Sequence, residues 1–178
     1  MVLRRLIGIA TMLGALCAAA SSAWCETMVP LDLQVELLRK VVRFERGFVE
    51  RAGGQVTILL VVRGGDPNSE RAGAQLARAF ENAKEIAGKP IKVVRQGWSS
   101  AASLKKAVAA ANAQLVYLTP GFEAEAGNIA GALAGVAAIT VSTDGEQVDH
   151  GIVLGFELVS ARPKIALNLG QAKKQSLD

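Results

Sequence analysis

Cysteine is nearly absent from this sequence. Cys17 and Cys25 are the two it has, and both fall within the first 25 of its 178 residues. The remaining chain can close no internal disulfide and carries none of the paired-cysteine spacings that hold zinc. Histidine is scarcer still. His150 is the single one, and its chain neighbours Asp144, Glu146 and Asp149 make too small a ligand set for a built metal site, so it reads as a surface residue; neither a metal nor a histidine-based triad is expected. Aromatic residues are 4% of the chain, which leaves little to stack bases on. Basic residues outside the first 25 positions gather only in short pairs such as Lys105-Lys106 and Lys173-Lys174. Nucleic-acid binding needs a concentrated basic face, so it is excluded here. The glycine pair Gly64-Gly65 has neither the GxGxxG spacing of a dinucleotide fold nor the GxxxxGK[ST] of a phosphate loop, and GxSxG and HExxH are missing. No cofactor and no enzymatic activity are expected.

What is present begins with an export signal. Arg4 and Arg5 give a positive start, Leu6–Ala20 is an uncharged apolar run, and Ser21-Ser22-Ala23 supplies small residues for cleavage. That order is the layout of a secretory signal peptide, here residues 1–25. Cleavage after Ala23 or after Cys25 suits the pattern. The alternative is an uncleaved anchor, because Leu6–Trp24 approaches the roughly 20 apolar residues of a membrane-spanning helix. In a bacterium such a leader implies the periplasm, where ATP, NAD and reducing thiols are not default partners. With Arg4 and Arg5 set aside, the formal charge of +4 falls to about +2, spread rather than patched. Residues 26–178 form one ordinary domain, long enough to bury a core without disulfides.

The hydrophobic pattern of that domain is α/β. Pro30 opens a helix expected to run from Leu31 to about Ala52, ended by Gly53-Gly54. At about 100° per residue its apolar residues form two stripes. Leu31, Val35, Leu38, Val42 and Val49 make one; Leu33, Leu37, Val41, Phe44 and Phe48 make the other. The two together are wider than packing on one sheet face requires. Either the whole helix is wedged into the core, with Glu45 tied to a cation or at the rim, or the second stripe is a surface for a partner. Val56–Val62 is apolar at every position, which fits a parallel strand covered on both faces. A helix capped by Asp66, with Pro67 at its first position, is expected to reach about Ile86, before Gly88. Strand Ile91–Val94, a helix capped by Ser99 or Ser100 and reaching Ala111, strand Leu115–Leu118, a helix over about Glu123–Leu133 and strand Ala138–Val141 follow. Ile152–Leu158 and Lys164–Leu169, joined by Ser160-Ala-Arg-Pro163, are too close for a crossover and predict an antiparallel hairpin. A short helix is expected within Gln171–Asp178.

The whole predicts a compact three-layer α/β domain with a mostly parallel sheet, β-α-β-α-β-α-β, and a C-terminal antiparallel hairpin. With its first four strands in the order 2-1-3-4, the switch point falls between the first and third, at the loops Arg63–Ser69 and Thr119–Asn128. Ligands gather outside the carboxyl ends of such strands, which makes Asp66, Ser69, Thr119 and Gly121 the candidate small-ligand residues. The bland alternative for Asp66 and Ser69 is helix capping.

Three segments point to a family. They are Pro30-Leu-Asp-Leu-Gln-Val-Glu-Leu-Leu-Arg-Lys-Val-Val-Arg-Phe44, Val116-Tyr-Leu-Thr-Pro-Gly121, and Gly155-Phe-Glu-Leu-Val-Ser-Ala-Arg-Pro-Lys-Ile-Ala-Leu-Asn-Leu-Gly-Gln-Ala172. With them the chain resembles the YfiR-like family of exported bacterial proteins, over roughly residues 29–175. The resemblance implies a compact α/β fold and a periplasmic regulator that restrains an inner-membrane diguanylate cyclase by binding its periplasmic portion, lowering cyclic-di-GMP output. It also implies a homodimer as a further expectation. The partner surface would then be the second stripe, Leu33, Leu37, Val41, Phe44 and Phe48. The domain lacks the cysteines through which the family's founding member is redox-controlled, and the end of its first helix is charged, with Arg43, Glu45 and Arg46.

Overall fold

A computed structural model describes residues 28–177. The leader, with Cys17, Cys25 and the cleavage point, lies outside the described residues, as does Asp178. The chain is α/β, built on a seven-stranded sheet in the order β2-β3-β1-β4-β5-β6-β7, numbered along the chain, with β2 the short strand Glu85–Ile86. β1 (Val56–Val62), β3 (Lys89–Gly97), β4 (Leu115–Leu118) and β5 (Ile139–Ser142) are parallel neighbours, in the expected spatial order. β6 (Leu154–Val159) joins β5 in parallel through Val141 and Leu154, and β7 (Arg162–Leu167) returns antiparallel to it.

The sheet is covered on both sides. Along β1 successive side chains point to opposite faces, so Val56, Ile58, Leu60 and Val62 enter one core and Leu59 and Val61 the other. The first core is roofed by α1 (Leu31–Val41), α2 (Phe48–Ala52) and α3 (Pro67–Ala83), through Val35, Leu38, Phe48, Leu76 and Phe80. The second lies under α4 (Ala101–Ala111) and α5 (Ala126–Ala132), through Leu104, Val108, Ala126 and Ile129. α6 (Leu169–Lys174) closes the chain beside α5; Gln171 in it donates to the carbonyl of Ala130 at 3.0 Å.

Several local expectations are corrected. The single helix over Leu31–Ala52 is broken. α1 ends at Val41, a 3-10 turn covers Val42–Phe44, and Glu45 is extended, with φ −82° and ψ 115°. The Glu45 carboxylate folds back to accept from the amide of Gly47 at 3.2 Å and from Arg51, with which it is ion-paired. A side chain holding its own backbone in this way competes with helix continuation. α3 stops at Ala83 rather than Ile86. Lys84 takes a positive φ of 61°, and Glu85–Ile86 become β2, a short strand hairpinned onto β3 through Ala87 and Gly88, both at positive φ. Two-residue hairpin turns of type I′ need positive φ at both central positions. The same rule shortens the last hairpin. Val159 pairs with Arg162, so the turn is Ser160-Ala161, with φ 52° and 59°, and Arg162-Pro163 belong to β7. β7 ends at Leu167, and Leu169 is the first residue of α6, because Asn168 caps that helix by accepting from the Gln171 amide at 2.8 Å.

Candidate functional site

At the carboxyl ends of β1 and β4 the fold does bring Asp66, Ser69, Thr119 and Gly121 together, but they bind one another. Asp66 Oδ1 accepts from the amides of Asn68 at 2.8 Å and Ser69 at 3.2 Å, as an N-cap does. Ser69 and Thr119 share a hydrogen bond of 2.6 Å between their hydroxyls. Ser69 Oγ also accepts from the Arg63 amide at 2.8 Å, and Thr119 Oγ1 donates to the Val61 carbonyl at 2.9 Å. Both side chains are fully buried. Arg63 spans the crevice: its Nε donates to the Gly121 carbonyl at 2.8 Å, its Nη2 pairs with Glu125 at 2.7 Å, and its guanidinium carbon lies 4.9 Å from the centre of the Phe122 ring. Gly121 sits at φ 95°, and a Cβ there would stand 3.0 Å from Asp66 Oδ2. This is a closed, mutually satisfied joint between two loops, with capping as the role of Asp66.

The opposite end of the sheet is different. At the amino ends of β5 and β6, an apolar groove of about 170 Å³ opens between the end of α1 and the start of α6. Val42, Ile139, Val153, Leu154, Ala172 and Leu177 line it. Phe44, Leu167 and Leu169 also line it and stand out into solvent, 84%, 50% and 69% exposed. Large apolar side chains scattered singly need no explanation, whereas these three gather around one groove. Each protrudes for a local reason. Phe44 closes the 3-10 turn, where Glu45 redirects the chain. Leu167 ends the outermost strand, where nothing covers it. Leu169 follows the Asn168 cap, on the outer side of α6.

The expected partner stripe divides into three. Leu33, Leu37 and Val41 are half-buried and pack against the first core, along with Leu158 and Ile165. Phe44 is exposed. Phe48 is 0% exposed, inside the core, and is removed from the candidate surface. The break at Glu45 is the cause: a continuous helix puts Val49 on the inner stripe and Phe48 on the outer, but α2 starts afresh after Gly47 and turns Phe48 in and Val49 out. Leu167 and Leu169 are the residues that sequence reasoning missed. The signal available was Asn168, a good N-cap residue, which separates a strand end from a helix start.

Tyr117 lies between the two ends, under α1. It is fully buried, stacks edge-on against Phe80 at 5.8 Å, and burial pushes its phenol well above the usual value. His150 is exposed. Among the described residues no group of three or more His, Cys, Asp or Glu is placed to hold a metal ion, and no helix is long and apolar enough to cross a membrane.

The fold is a compact α/β domain on a mixed seven-stranded sheet, with Asp66, Ser69 and Thr119 hydrogen-bonded within the loops at one end and an apolar groove at the opposite corner. The chain belongs to the YfiR/HmsC-like family, whose model matches residues 32–178. No curated protein matches it. Among solved structures, that of a conserved domain protein from Vibrio cholerae O1 biovar El Tor is similar, with a TM-score of 0.52 at 12% identity. The match covers 83% of this chain and 43% of that one, so the present chain spans less than half of that relative. At such identity the likeness is one of fold.

Proposed function

We propose that this protein is an exported, non-enzymatic regulator that works in the periplasm by contact, restraining an inner-membrane signalling protein of the diguanylate-cyclase type. Membership of the YfiR/HmsC-like family supports the regulatory role, and the leader at residues 1–25 supports export. The observation that carries the reading is the cluster of Phe44, Leu167 and Leu169 around an apolar groove. That surface suits a protein partner, whereas Asp66, Ser69 and Thr119 at the carboxyl edge are held in hydrogen bonds within and between their own loops. The contact surface is therefore drawn around Phe44, with Val41 at its inner margin, and moves from Leu33 and Leu37 toward the C-terminal hairpin and α6.

The test is made in cells. A strain carrying Phe44→Asp or Leu169→Asp should show raised cyclic-di-GMP relative to wild type, while the purified variants melt at the wild-type temperature. Unchanged cyclic-di-GMP in both variants, with the protein exported at normal levels, would remove this surface from the regulatory contact.

A further inference from the structure

The groove is lined by no lysine or arginine, but exposed cations neighbour two of its lining residues, Phe44 and Leu169, in the chain. Lys40 and Arg43 precede Phe44 on the exposed side of α1 and its 3-10 turn, and Arg46 follows it. Lys173 stands four residues after Leu169 on α6, hence on the same helix face. All four are exposed, and none is in either of the ion pairs among the described residues, Glu45–Arg51 and Arg63–Glu125. Glu45 is the one acid that lines the groove, and it is tied to Arg51. Exposed cations next to Phe44 and on the Leu169 face of α6 favour an anionic occupant, since complementary charges steer association and like charges oppose it. A second copy of this chain docked through the same face would bring Arg43, Arg46 and Lys173 of both copies into one contact, which raises its positive charge. Strand addition alongside β7 is opposed by the edge itself, where Arg162 and Lys164 are exposed and Pro163 lacks a donor.

The concave site between two protruding side chains has the form that receives an amphipathic helix, which offers apolar anchors at helical spacing and charge along its flanks. We infer that the occupant of the groove is an acidic amphipathic helix of the partner, seating an apolar side chain between Phe44 and Leu169 and setting carboxylates against Arg43, Arg46 and Lys173. The inference rests on the contact reading above and adds the partner's chemistry to it.

Fluorescence anisotropy of three labelled synthetic helices on the purified protein tests it. All three share one leucine pattern, and their polar faces are glutamate, glutamine or lysine; vesicles containing anionic phosphatidylglycerol form a fourth arm. The glutamate peptide should bind about tenfold more tightly than the glutamine peptide and should weaken as salt is raised, as exposed ion pairs do. The double variant Arg43→Glu, Lys173→Glu, both residues being exposed, should lose that tenfold preference with its melting temperature unchanged. Equal binding of all three peptides, preference for the lysine peptide, or binding of vesicles with no peptide overturns the acidic-helix assignment. If the acidic peptide fails while Phe44→Asp still raises cyclic-di-GMP, the contact surface stands and the chemistry of its occupant is wrong. If Phe44→Asp and Leu169→Asp both leave cyclic-di-GMP unchanged, the contact reading falls with it.

Discussion

Tyr117 donates its phenolic hydroxyl to Oε1 of Gln34 at 2.6 Å, joining the middle of the sheet to α1 across 83 positions of chain. Both residues are fully buried. The Gln34 amide nitrogen donates in turn to the carbonyls of Val29 at 2.8 Å and Thr143 at 3.2 Å. One side chain on α1 thus satisfies the segment that enters the helix, the loop after β5, and the one tyrosine of the chain. A buried polar network of this kind holds when every member is paired and is costly when one is removed.

Tyr117→Phe is therefore expected to lower stability by about 1–3 kcal/mol, because it leaves Gln34 Oε1 buried without a donor. Gln34→Leu should cost at least as much, since it strands the tyrosine hydroxyl and two backbone carbonyls. Urea unfolding of both single variants and the double variant measures the coupling; a coupling energy of zero would show that the hydrogen bond contributes nothing to the fold.

The buried phenol also sets an alkaline limit. Below about pH 10, the ordinary tyrosine value, folded and unfolded chains both hold the proton. Above it the unfolded chain releases the proton and the folded chain retains it, because burial raises the Tyr117 value. Stability is thus fully present below pH 10 and is lost as the pH climbs toward the folded value, at up to about 1.4 kcal/mol per pH unit for one such group. Tyr117→Phe should show a shallower decline between pH 9.5 and 11. Parallel declines for the two proteins would assign the alkaline loss to other groups.

Phe44 and Phe48 are four residues apart and should behave oppositely. Phe44→Asp is expected to leave stability within about 0.5 kcal/mol of wild type. Phe48→Ala should cost about 3–5 kcal/mol by opening a cavity under α2. Thermal melts of the pair check whether the break at Glu45 exists in solution, since an unbroken helix would give Phe44 and Phe48 similar costs.

Gly155 lies where the chain passes the loop after β5. A Cβ there would stand 2.7 Å from the Asp144 carbonyl oxygen and 2.8 Å from Gly145 Cα, both of them backbone. Gly155→Ala should destabilise by about 1–3 kcal/mol or more, because backbone cannot swing aside as a side-chain tip does. A soluble, fully folded variant with a wild-type melt would mean that the 3-10 turn at Gly145–Val148 moves freely.

Asn168 holds α6 from both sides of its amide. Oδ1 caps the helix, and Nδ2 donates to the Val148 carbonyl at 2.9 Å. Asn168→Ala is expected to cost about 1–2 kcal/mol and to speed amide hydrogen exchange in Leu169–Lys174. Loss of partner binding in this variant, with Leu169 intact, would show that the contact needs α6 fixed in place.

Sequence by itself determined the layers. The all-apolar run Val56–Val62 had to be a strand covered on both faces, Asp66-Pro67 had to start a helix, and the spacing of the last two strands had to make a hairpin, because each follows from bonds and periodicities within a few residues. Right-handed crossovers allow more than one order of parallel strands, and the observed order, β3-β1-β4-β5, is the one that the reading assumed. Tertiary structure alone decided which apolar residues face water. The two stripes of the first helix look equivalent in sequence, and a tie between Glu45 and Arg51, six positions apart, breaks the helix and exchanges Phe48 for Val49. It decided too that Ser69 and Thr119, fifty positions apart, would hydrogen-bond to each other. And it assembled the exposed corner from Phe44 and, more than 120 positions later, Leu167 and Leu169, which no local pattern relates; only the fold brings the end of α1 and the start of α6 to the two sides of one groove.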